Sequence, residues 1–485
     1  MWILVAGLAA CATVPRGPDP QFERDAIAAR MMRDIEVLAS DEFGGRKPGT
    51  PGGERTIAYV IQRMQEIGLE SGTNDPGSAW RAPVELLSSK PLGHSITVRT
   101  RRGTRELPVE SSAAYSLSRR VLIDGVEVVF LGAGSRALPE SEITGRIVVL
   151  VQPQDDPAAR EVLFAANPAA VLSVVPNETA LRRIKARSEN ERLLLASEGS
   201  DHLTAFVTRD AFAGALPSGE WDRLMADAAR PDFSFEVLRA TIAIDAQSAR
   251  REFTSSNVIG LIPGQVRGSG AVLLMAHWDH LGECAPGTPN PICNGAVDNA
   301  SGVALMLELA QRLKNNGLHD RDIYFLATSA EEAGLLGARA FAEAPPIPLD
   351  SITASFNFDT VAVARAGAAV GFVGEGRTTL DETIKMVLSE RGMELGNREF
   401  ADSFLRRHDG WVLLERQVPS VLLSTAFSSE IVNGPFFATK YHRPSDEVDG
   451  LELGGAVDDL LLHEDLVTRF ASTLSYPDGD TPASQ

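Results

Sequence analysis

The second half of the chain alternates between short apolar runs and longer amphipathic stretches. The short runs are almost wholly hydrophobic, which is typical of strands buried on both faces. The longer stretches repeat apolar residues at helical spacing. The predicted strands are AVLLMAHW, DIYFLATS, ITASFNFDT and VPSVLLST, and the predicted helices are SGVALMLELAQRLKN, AGLLGARAFAEA and TIKMVLSERGM. Strands that alternate with helices in this way predict the α/β class, with a mainly parallel sheet covered by helices.

The first half of the chain has a different pattern. Residues 23–70 read as helix, turn and helix, with GGRKPGTPGG as the turn-rich break. Between residues 85 and 245, short β-type runs such as GRIVVLV alternate with helical stretches such as DPAAREVLFAAN. A chain of 485 residues is too long for one ordinary core. We therefore expect a main domain built from 23–109 and 241–475, a smaller α/β domain inserted at 110–240, and a flexible tail at 476–485.

The composition is that of a globular protein, with 44% hydrophobic and 23% charged residues. The formal net charge is −19, and acidic and basic residues are interleaved rather than grouped. Nucleic-acid binding requires a basic face that neutralises phosphates. The charge therefore argues against nucleic acid as a partner and indicates a solvated acidic surface.

The N-terminus carries the apolar run WILVAGLAA, which is too short to span a bilayer as a helix. The run leads into LAAC, which resembles the lipobox of bacterial lipoproteins, although no Lys or Arg precedes it. The resemblance implies a signal at 1–10, a lipidated Cys11 and a flexible tether at 11–22. It also implies an exported, periplasmic protein held at the outer membrane, because Ala12 rather than an aspartate follows the cysteine.

The other two cysteines lie close together in the sequence. Cys284 and Cys293 are nine positions apart in the Pro/Gly-rich loop CAPGTPNPIC, with no helical spacing. In an exported protein this arrangement favours a disulfide over a metal site. Two unpaired thiols are the alternative.

Titratable side chains gather where the predicted strands of the second half end. They are His277 and Asp279 after the first strand, Asp298 at the start of the following helix, Glu331 and Glu332 after the second strand, Asp359 after the third, and His442 in the loop region after the fourth. In a parallel sheet the carboxyl ends of the strands meet at one edge, where ligands bind. The sequence therefore predicts that these groups lie together.

Two histidines and several carboxylates form a ligand set that suits zinc. The carboxylates are too many for one tetrahedral ion, whereas two ions about 3.5–4 Å apart could share one of them and support hydrolysis. One carboxylate must then stay free to accept a proton from water. Each residue alone has an ordinary alternative, since a strand-end histidine is usually only hydrogen-bonded and a Glu pair is usually solvated or at a helix N-terminus. Their convergence on one edge favours the metal site.

Five motifs in this order, AHWDH, NGAVDNASGVA, TSAEEAGLLG, NFD and YH, resemble the dizinc exopeptidases of metallopeptidase family 28. That family includes bacterial leucyl aminopeptidases, plasma glutamate carboxypeptidase, glutaminyl cyclases and the transferrin receptor. The resemblance covers residues 255–450, and GRKPGTPGG also resembles the family's N-terminal segment. The stretch EITGRIVVLV within 110–240 resembles the protease-associated domain that many members carry as an insert.

The resemblance implies a zinc aminopeptidase fold and a role for each matched residue. The implied ligands of two Zn²⁺ ions are His277, Asp298, Glu332, Asp359 and His442. His277 and Glu332 would bind different ions, Asp359 and His442 would complete one pair each, and Asp298 would bridge. Glu331 would be the general base, and Asp279 would orient the ring of His277. The family also carries a cis peptide at the position of Asp298–Asn299.

The implied function is a zinc-dependent exopeptidase acting on peptides, with an aminopeptidase favoured. A carboxypeptidase or dipeptidase acting on acidic peptides, a glutaminyl cyclase and a non-enzymatic receptor-like module are the alternatives. Cleavage at a free N-terminus is favoured because an acidic rim suits a protonated amine, whereas a substrate carboxylate needs a dedicated cation such as Arg. Arg406, Arg407 and Arg443 are the close candidates, and surface solvation is the expected role of each.

Two stretches depart from the family pattern. Family members often show Ser-Asp-His before the last strand, where this chain has Arg407-His408-Asp409-Gly410. Thr360 stands where a methionine is common. The first departure leaves open which residues contact substrate there, but it removes no implied metal ligand.

Overall fold

The structure is a computed structural model that describes residues 20–133, 139–152 and 155–477. The predicted signal at 1–10, Cys11, most of the tether and most of the C-terminal tail lie outside these residues. No helix within the described residues is long and apolar enough to cross a membrane.

Strands and helices alternate along most of the described chain. The strands are β1 (Glu70–Ser71), β2 (Arg81–Thr100), β3 (Gly103–Glu106), β4 (Ser112–Tyr115), β5 (Arg120–Gly132), β6 (Ile147–Val151), β7 (Ala170–Val175), β8 (Arg192–Leu195), β9 (Thr204–Thr208), β10 (Glu236–Ile262), β11 (Ala271–His277), β12 (Gly282–Glu283), β13 (Ile292–Cys293), β14 (Asp322–Thr328), β15 (Ile352–Asn357), β16 (Gly371–Val373) and β17 (Ser420–Ser424). The α-helices are α1 (Pro20–Leu38), α2 (Pro51–Ile67), α3 (Glu140–Ile143), α4 (Pro157–Phe164), α5 (Glu178–Ser188), α6 (Arg209–Ala215), α7 (Glu220–Ala228), α8 (Ser301–Asn315), α9 (Leu336–Glu343), α10 (Asp381–Glu390), α11 (Arg398–Asp402), α12 (Gly410–Leu414), α13 (Glu430–Thr439) and α14 (Gly454–Phe470).

The chain divides into two compact units. The first comprises the residues up to Val84 together with those from Ser255 onward, and the second is Glu85–Thr254. The second unit contains the whole of the range 110–240 that was predicted as an insert. That this insert is a protease-associated domain stays a prediction.

The first unit contains a sheet in the order β16-β17-β15-β11-β14-β10. The pairs β11–β14, β11–β15 and β15–β17 are parallel, and β16 and β10 pair antiparallel at its two sides. The α/β class with a mainly parallel sheet is therefore confirmed.

Helices cover both faces of this sheet. Side chains of β11 alternate, with Val272 and Leu274 in a core that includes α1, α2, α8 and α14, and Leu273 and Met275 in a second core with α9 and α12. Every residue of β11 is buried, which explains its unbroken apolar run.

The second unit has its own sheet, in which β5, β6, β7 and β9 are parallel neighbours. Within this unit β4 pairs antiparallel with β9, and the part of β10 that precedes Ser255 pairs antiparallel with β5. Apolar residues such as Val149, Leu172 and Val207 form its main core with Phe212 and Leu224.

Two local predictions are also confirmed. Cys284 and Cys293 form a disulfide with Cα atoms 5.7 Å apart, and the two cysteines adjoin or belong to the short hairpin β12–β13. The peptide bond Asp298–Asn299 is cis.

Candidate metal centre

The register of the parallel sheet gathers the predicted site residues at its carboxyl edge. His277, the last residue of β11, is paired with Thr328, the last residue of β14. Glu331 and Glu332 follow Thr328 within a few residues, and Asp359 follows the end of β15. Parallel strands that end side by side deliver the residues after them to one place.

A first group of ligand atoms surrounds the ring of His277. Its Nε2 lies 3.3 Å from Asp298 Oδ1, 3.5 Å from Asp359 Oδ1 and 3.9 Å from Glu331 Oε2. Ligand atoms of His277, Asp298 and Asp359 all lie within 4.8 Å of one another, close enough to hold one metal ion.

A second group surrounds the carboxylate of Glu332. Its Oε2 lies 2.8 Å from His442 Nε2, and its Oε1 lies 2.6 Å from His280 Nδ1. His442 Nε2 is also 3.4 Å from Asp298 Oδ2. Asp298 therefore turns one carboxylate oxygen toward each group, as a bridging ligand must.

The structure brings all seven predicted site residues together. Asp298 does not open α8 itself but lies in the turn Ala296–Ala300 just before it. Asp279 is placed differently from the expectation that its carboxylate holds the ring of His277. The Nδ1 atom of His277 is 3.2 Å from the backbone carbonyl of Asp279 and 3.9 Å from its carboxylate, which instead accepts a hydrogen bond from the backbone amide of Glu331.

Several side chains of this centre have strongly shifted pKa values. Burial raises the pKa of Asp279 to about 7 and that of Glu331 well above its usual range. Burial alone would lower the pKa of His442, but Asp298 and Glu332 raise it to about 10. Burial opposes ionisation of Asp298, yet hydrogen bonds from His277 and His442 hold its pKa well below the usual range. Nearby positive charge therefore stabilises the centre. Its donor atoms are carboxylate oxygens and imidazole nitrogens, which bind divalent cations.

Arg46 supplies part of that charge from the N-terminal segment. Its side chain is 1% exposed and donates hydrogen bonds to the backbone carbonyls of Trp278 and Gly295 at 2.9 Å each. Burial lowers its pKa to about 10, opposed by the nearby carboxylates of Asp298 and Asp446, so the guanidinium is charged at neutral pH. Sequence reasoning missed this residue because GGRKPGTPGG was interpreted only as a turn and a family match.

Further supporting contacts hold the turn that carries Asp298. The carboxylate of Asp446 accepts hydrogen bonds from the amides of Val297 and Asp298 at 3.0 and 3.1 Å. Asn299 donates to the carbonyl of Phe358 at 2.9 Å, which ties this turn to the segment before Asp359. A Cβ at Gly302 would lie 2.2 Å from Asn299 Oδ1, so only glycine allows this close approach.

Four more residues near the centre were not predicted as part of it. His280, quoted within AHWDH, contacts Glu332 directly, and its other nitrogen has no hydrogen-bond partner among the described residues. In the stretch that departs from the family pattern, His408 and Asp409 are both buried. Asp409 accepts a hydrogen bond from the hydroxyl of Thr328. Thr360, the second departure, donates from its hydroxyl to Asp359 Oδ1 at 2.9 Å.

A pocket opens beside the first group of ligand atoms. Its charged lining comprises Asp298, Glu331, Asp359 and Arg407, and its apolar and aromatic lining comprises Phe404, Leu422, Phe427, Phe437 and Tyr441. Arg407, which was expected to be a solvated surface residue, is exposed and also lines this pocket. Arg406, its neighbour, instead stacks on Trp411 with its guanidinium 5.0 Å from the ring centroid.

Comparison with known proteins agrees with this geometry. Residues 257–458, which hold every predicted ligand, match the sequence profile described as Peptidase family M28. Residues 257–458 form a peptidase family M28 domain. The resemblance inferred from the five motifs is thereby confirmed.

Two curated relatives are similar to parts of this chain. Aminopeptidase YwaD of Bacillus subtilis is 37% identical over 91 residues, which are 19% of this chain and 18% of that protein. The probable lipoprotein aminopeptidase LpqL of Mycobacterium tuberculosis is 23% identical over 353 residues, which are 71% of this chain and 60% of that protein. In both comparisons the match spans less than two thirds of the relative's length.

A solved structure shares the fold over most of its length. The aminopeptidase from Aneurinibacillus sp. strain AM-1 superposes with a TM-score of 0.54 at 18% sequence identity, covering 92% of this chain and 94% of that chain. The likeness therefore extends well beyond the M28 domain.

We expect Arg46→Lys to weaken metal binding, because the single amine of lysine cannot bond the carbonyls of Trp278 and Gly295 as the guanidinium does. Loss of a group that orients metal ligands typically costs about 10- to 100-fold in metal affinity. Competition with a chromophoric zinc chelator measures the effect. Arg321→Lys is the matched control, since Arg321 is also fully buried and bonded to backbone carbonyls but lies just before the opposite end of β14. Equal zinc affinity in the two variants would contradict the role assigned to Arg46.

Proposed function

We propose that the protein is a zinc-dependent aminopeptidase that hydrolyses the N-terminal residue of peptides. The observation that carries the proposal is the pair of ligand groups that share Asp298 at the carboxyl edge of the sheet. Both curated relatives described above are named aminopeptidases, which favours this activity over a carboxypeptidase, a cyclase or a receptor-like module.

The ligand geometry supports two zinc ions. His277 and Asp359 would hold one ion, Glu332 and His442 would hold the other, and Asp298 would serve both. The Nδ1 atom of His277 faces a backbone carbonyl, so the proton belongs on Nδ1 and the lone pair of Nε2 faces Asp298 and Asp359. When bound, such a pair of ions activates a water molecule and polarises the peptide carbonyl.

Glu331 is assigned the proton transfer. Its carboxylate lines the pocket beside Asp298 and Asp359, where a general base must lie to reach the attacking water. The hydrogen bond from its backbone amide to Asp279, 3.0 Å long, fixes the start of the turn that carries it. In this assignment Glu331 takes the proton of the attacking water and passes it to the departing amine.

A comparison of blocked and free peptides tests the proposed function. We expect hydrolysis of a dipeptide and of leucine anilide, loss of hydrolysis when the amine is acetylated, and persistence when the C-terminus is amidated. The physical reason is that the carboxylate-rich rim of the pocket favours a substrate amine. Removal of metal by a chelator should abolish all hydrolysis, and added zinc should restore it. Cleavage that survives acetylation but not amidation would establish a carboxypeptidase instead.

Substitution of the adjacent residues Glu331 and Glu332 should have different effects on turnover and metal content. Glu331→Gln keeps the shape of the side chain but cannot accept a proton, so turnover should fall by about 10²–10⁴-fold while metal content stays. Glu332→Gln should lower metal content, because it removes a carboxylate that faces His442. Elemental analysis should find about two zinc ions per wild-type chain, as a shared bridging carboxylate requires. Near-normal turnover in Glu331→Gln would move the base elsewhere, and one zinc per chain that is unaffected by Asp298→Ala would remove the bridge.

We also propose that the enzyme is an exported lipoprotein, anchored to the outer membrane through Cys11 with its M28 domain in the periplasm. The lipobox-like LAAC carries this proposal, and the relative LpqL is named a probable lipoprotein aminopeptidase. Cys11→Ser should release the enzyme from the membrane fraction, because the thiol that would carry the lipid is gone. Cell fractionation with an activity assay measures this. A wild-type enzyme found only in the cytoplasm would contradict it.

A further inference from the structure

One cation in the pocket has no part in the metal chemistry. Arg407 lies between α11 and α12 and lines the pocket together with Asp298, Glu331 and Asp359. Metal ligands and a proton acceptor account for the carboxylates of this pocket. The guanidinium needs another explanation.

Three aromatic rings lie close to this guanidinium. Its central carbon lies 5.1 Å from the ring centroid of Phe404, 5.5 Å from that of Phe437 and 5.7 Å from that of Tyr441. One of its nitrogens donates a hydrogen bond to the hydroxyl of Tyr441 at 3.2 Å. Rings that surround an arginine limit its rotamers while leaving N–H groups at the edge of the plane free to donate.

The charge of Arg407 is not neutralised within the chain. Across residues 20–133, 139–152 and 155–477, no carboxylate forms an ion pair with Arg407, and its one hydrogen bond goes to a neutral hydroxyl. Other exposed arginines do find acidic partners, as Arg223 does with Glu220 and Glu236. An oriented, unpaired guanidinium in a pocket offers the bidentate geometry that a carboxylate fits.

We propose that Arg407 binds a carboxylate of the substrate and so determines which peptides the enzyme prefers. The proposal rests on the proposed aminopeptidase function and adds the substrate class. Two sources of the carboxylate share this chemistry, the side chain of an N-terminal Glu or Asp and the free C-terminus of a dipeptide. Phe404, Phe437 and Tyr441 border the guanidinium with apolar surface.

Matched pairs of substrates test the proposal. Glutamate anilide against glutamine anilide isolates a side-chain carboxylate, and Leu-Gly against Leu-Gly-amide isolates the C-terminal one. Each pair is assayed with the wild type, Arg407→Met and Arg407→Lys. Arg406→Met is the control, because Arg406 stacks on Trp411 and does not line the pocket.

In one of the two pairs we expect Arg407→Met to reduce the preference for the carboxylate by about 10- to 100-fold, mainly through KM, because a charge-assisted hydrogen bond is lost. Arg407→Lys should lose part of the preference, since lysine keeps the positive charge but lacks the two parallel N–H donors of the guanidinium. Arg406→Met should keep the wild-type ratios. The pair that responds identifies the source of the carboxylate.

Unchanged ratios in both pairs for Arg407→Met would overturn the proposal. Calorimetric titration of the metal-loaded protein with glutamate and with glutamine gives a readout that needs no turnover, and titration with acetyl-leucyl-glycine and its amide does the same for the C-terminal carboxylate. One outcome is that the wild type hydrolyses no free-amine substrate and still binds a carboxylate ligand more tightly than its amide, with the difference lost in Arg407→Met. That outcome would refute the aminopeptidase function and support the carboxylate site. Binding that does not discriminate either pair would refute the carboxylate site alone.

Discussion

Repulsion among buried carboxylates is the constraint on which the rest of the structure depends. Asp279, Asp298, Glu331, Glu332 and Asp359 converge on one edge of a sheet, and two like charges about 4 Å apart repel by about 4 kcal/mol even near a protein surface. The raised pKa values of Asp279 and Glu331 reduce this repulsion by favouring their neutral forms, and nearby positive charge offsets the rest. Arg46 brings a permanent charge from the N-terminal segment, and the imidazoles of His277 and His442 take up protons between the carboxylates. The same excess of negative charge favours the binding of divalent cations in place of protons.

The surrounding backbone is organised to hold the cluster in spite of that repulsion. Apolar strands covered by helices on both faces make a rigid support, and the charged residues lie in the turns after those strands. Each turn is tied to another element: Asp446 caps the amides beside Asp298, and the amide of Glu331 is bound by Asp279. These ties use backbone groups and buried side chains, and they hold the predicted ligands in place.

The sequence was sufficient to predict the sheet, the edge where its strands end and the seven residues that converge there. Those predictions succeeded because hydrophobic periodicity determines strand position and because parallel strands place their ends together. Arg46 and Asp446 escaped notice because their partners are backbone groups far away in the chain, which no local pattern reveals. The position of Arg407 beside Phe404, Phe437 and Tyr441 could not be predicted for a related reason, because only the folded chain brings these rings to it. The roles of the ligands and of Glu331 stay predictions.

The first unit is formed by two separate segments of the chain, and this has a consequence for how the protein is made. A ribosome releases Arg46 early, then the whole of Glu85–Thr254, and only much later His442 and Asp446. Until those last residues emerge, Asp298 lacks both the amide cap and the second histidine, and α1 lacks the partner that Arg24 finds in Asp458. A chain that has not reached this segment therefore carries the repulsion of the carboxylates without His442, one of the groups that offset it. The predicted ligand set therefore becomes complete only after the segment that carries His442 has been synthesised.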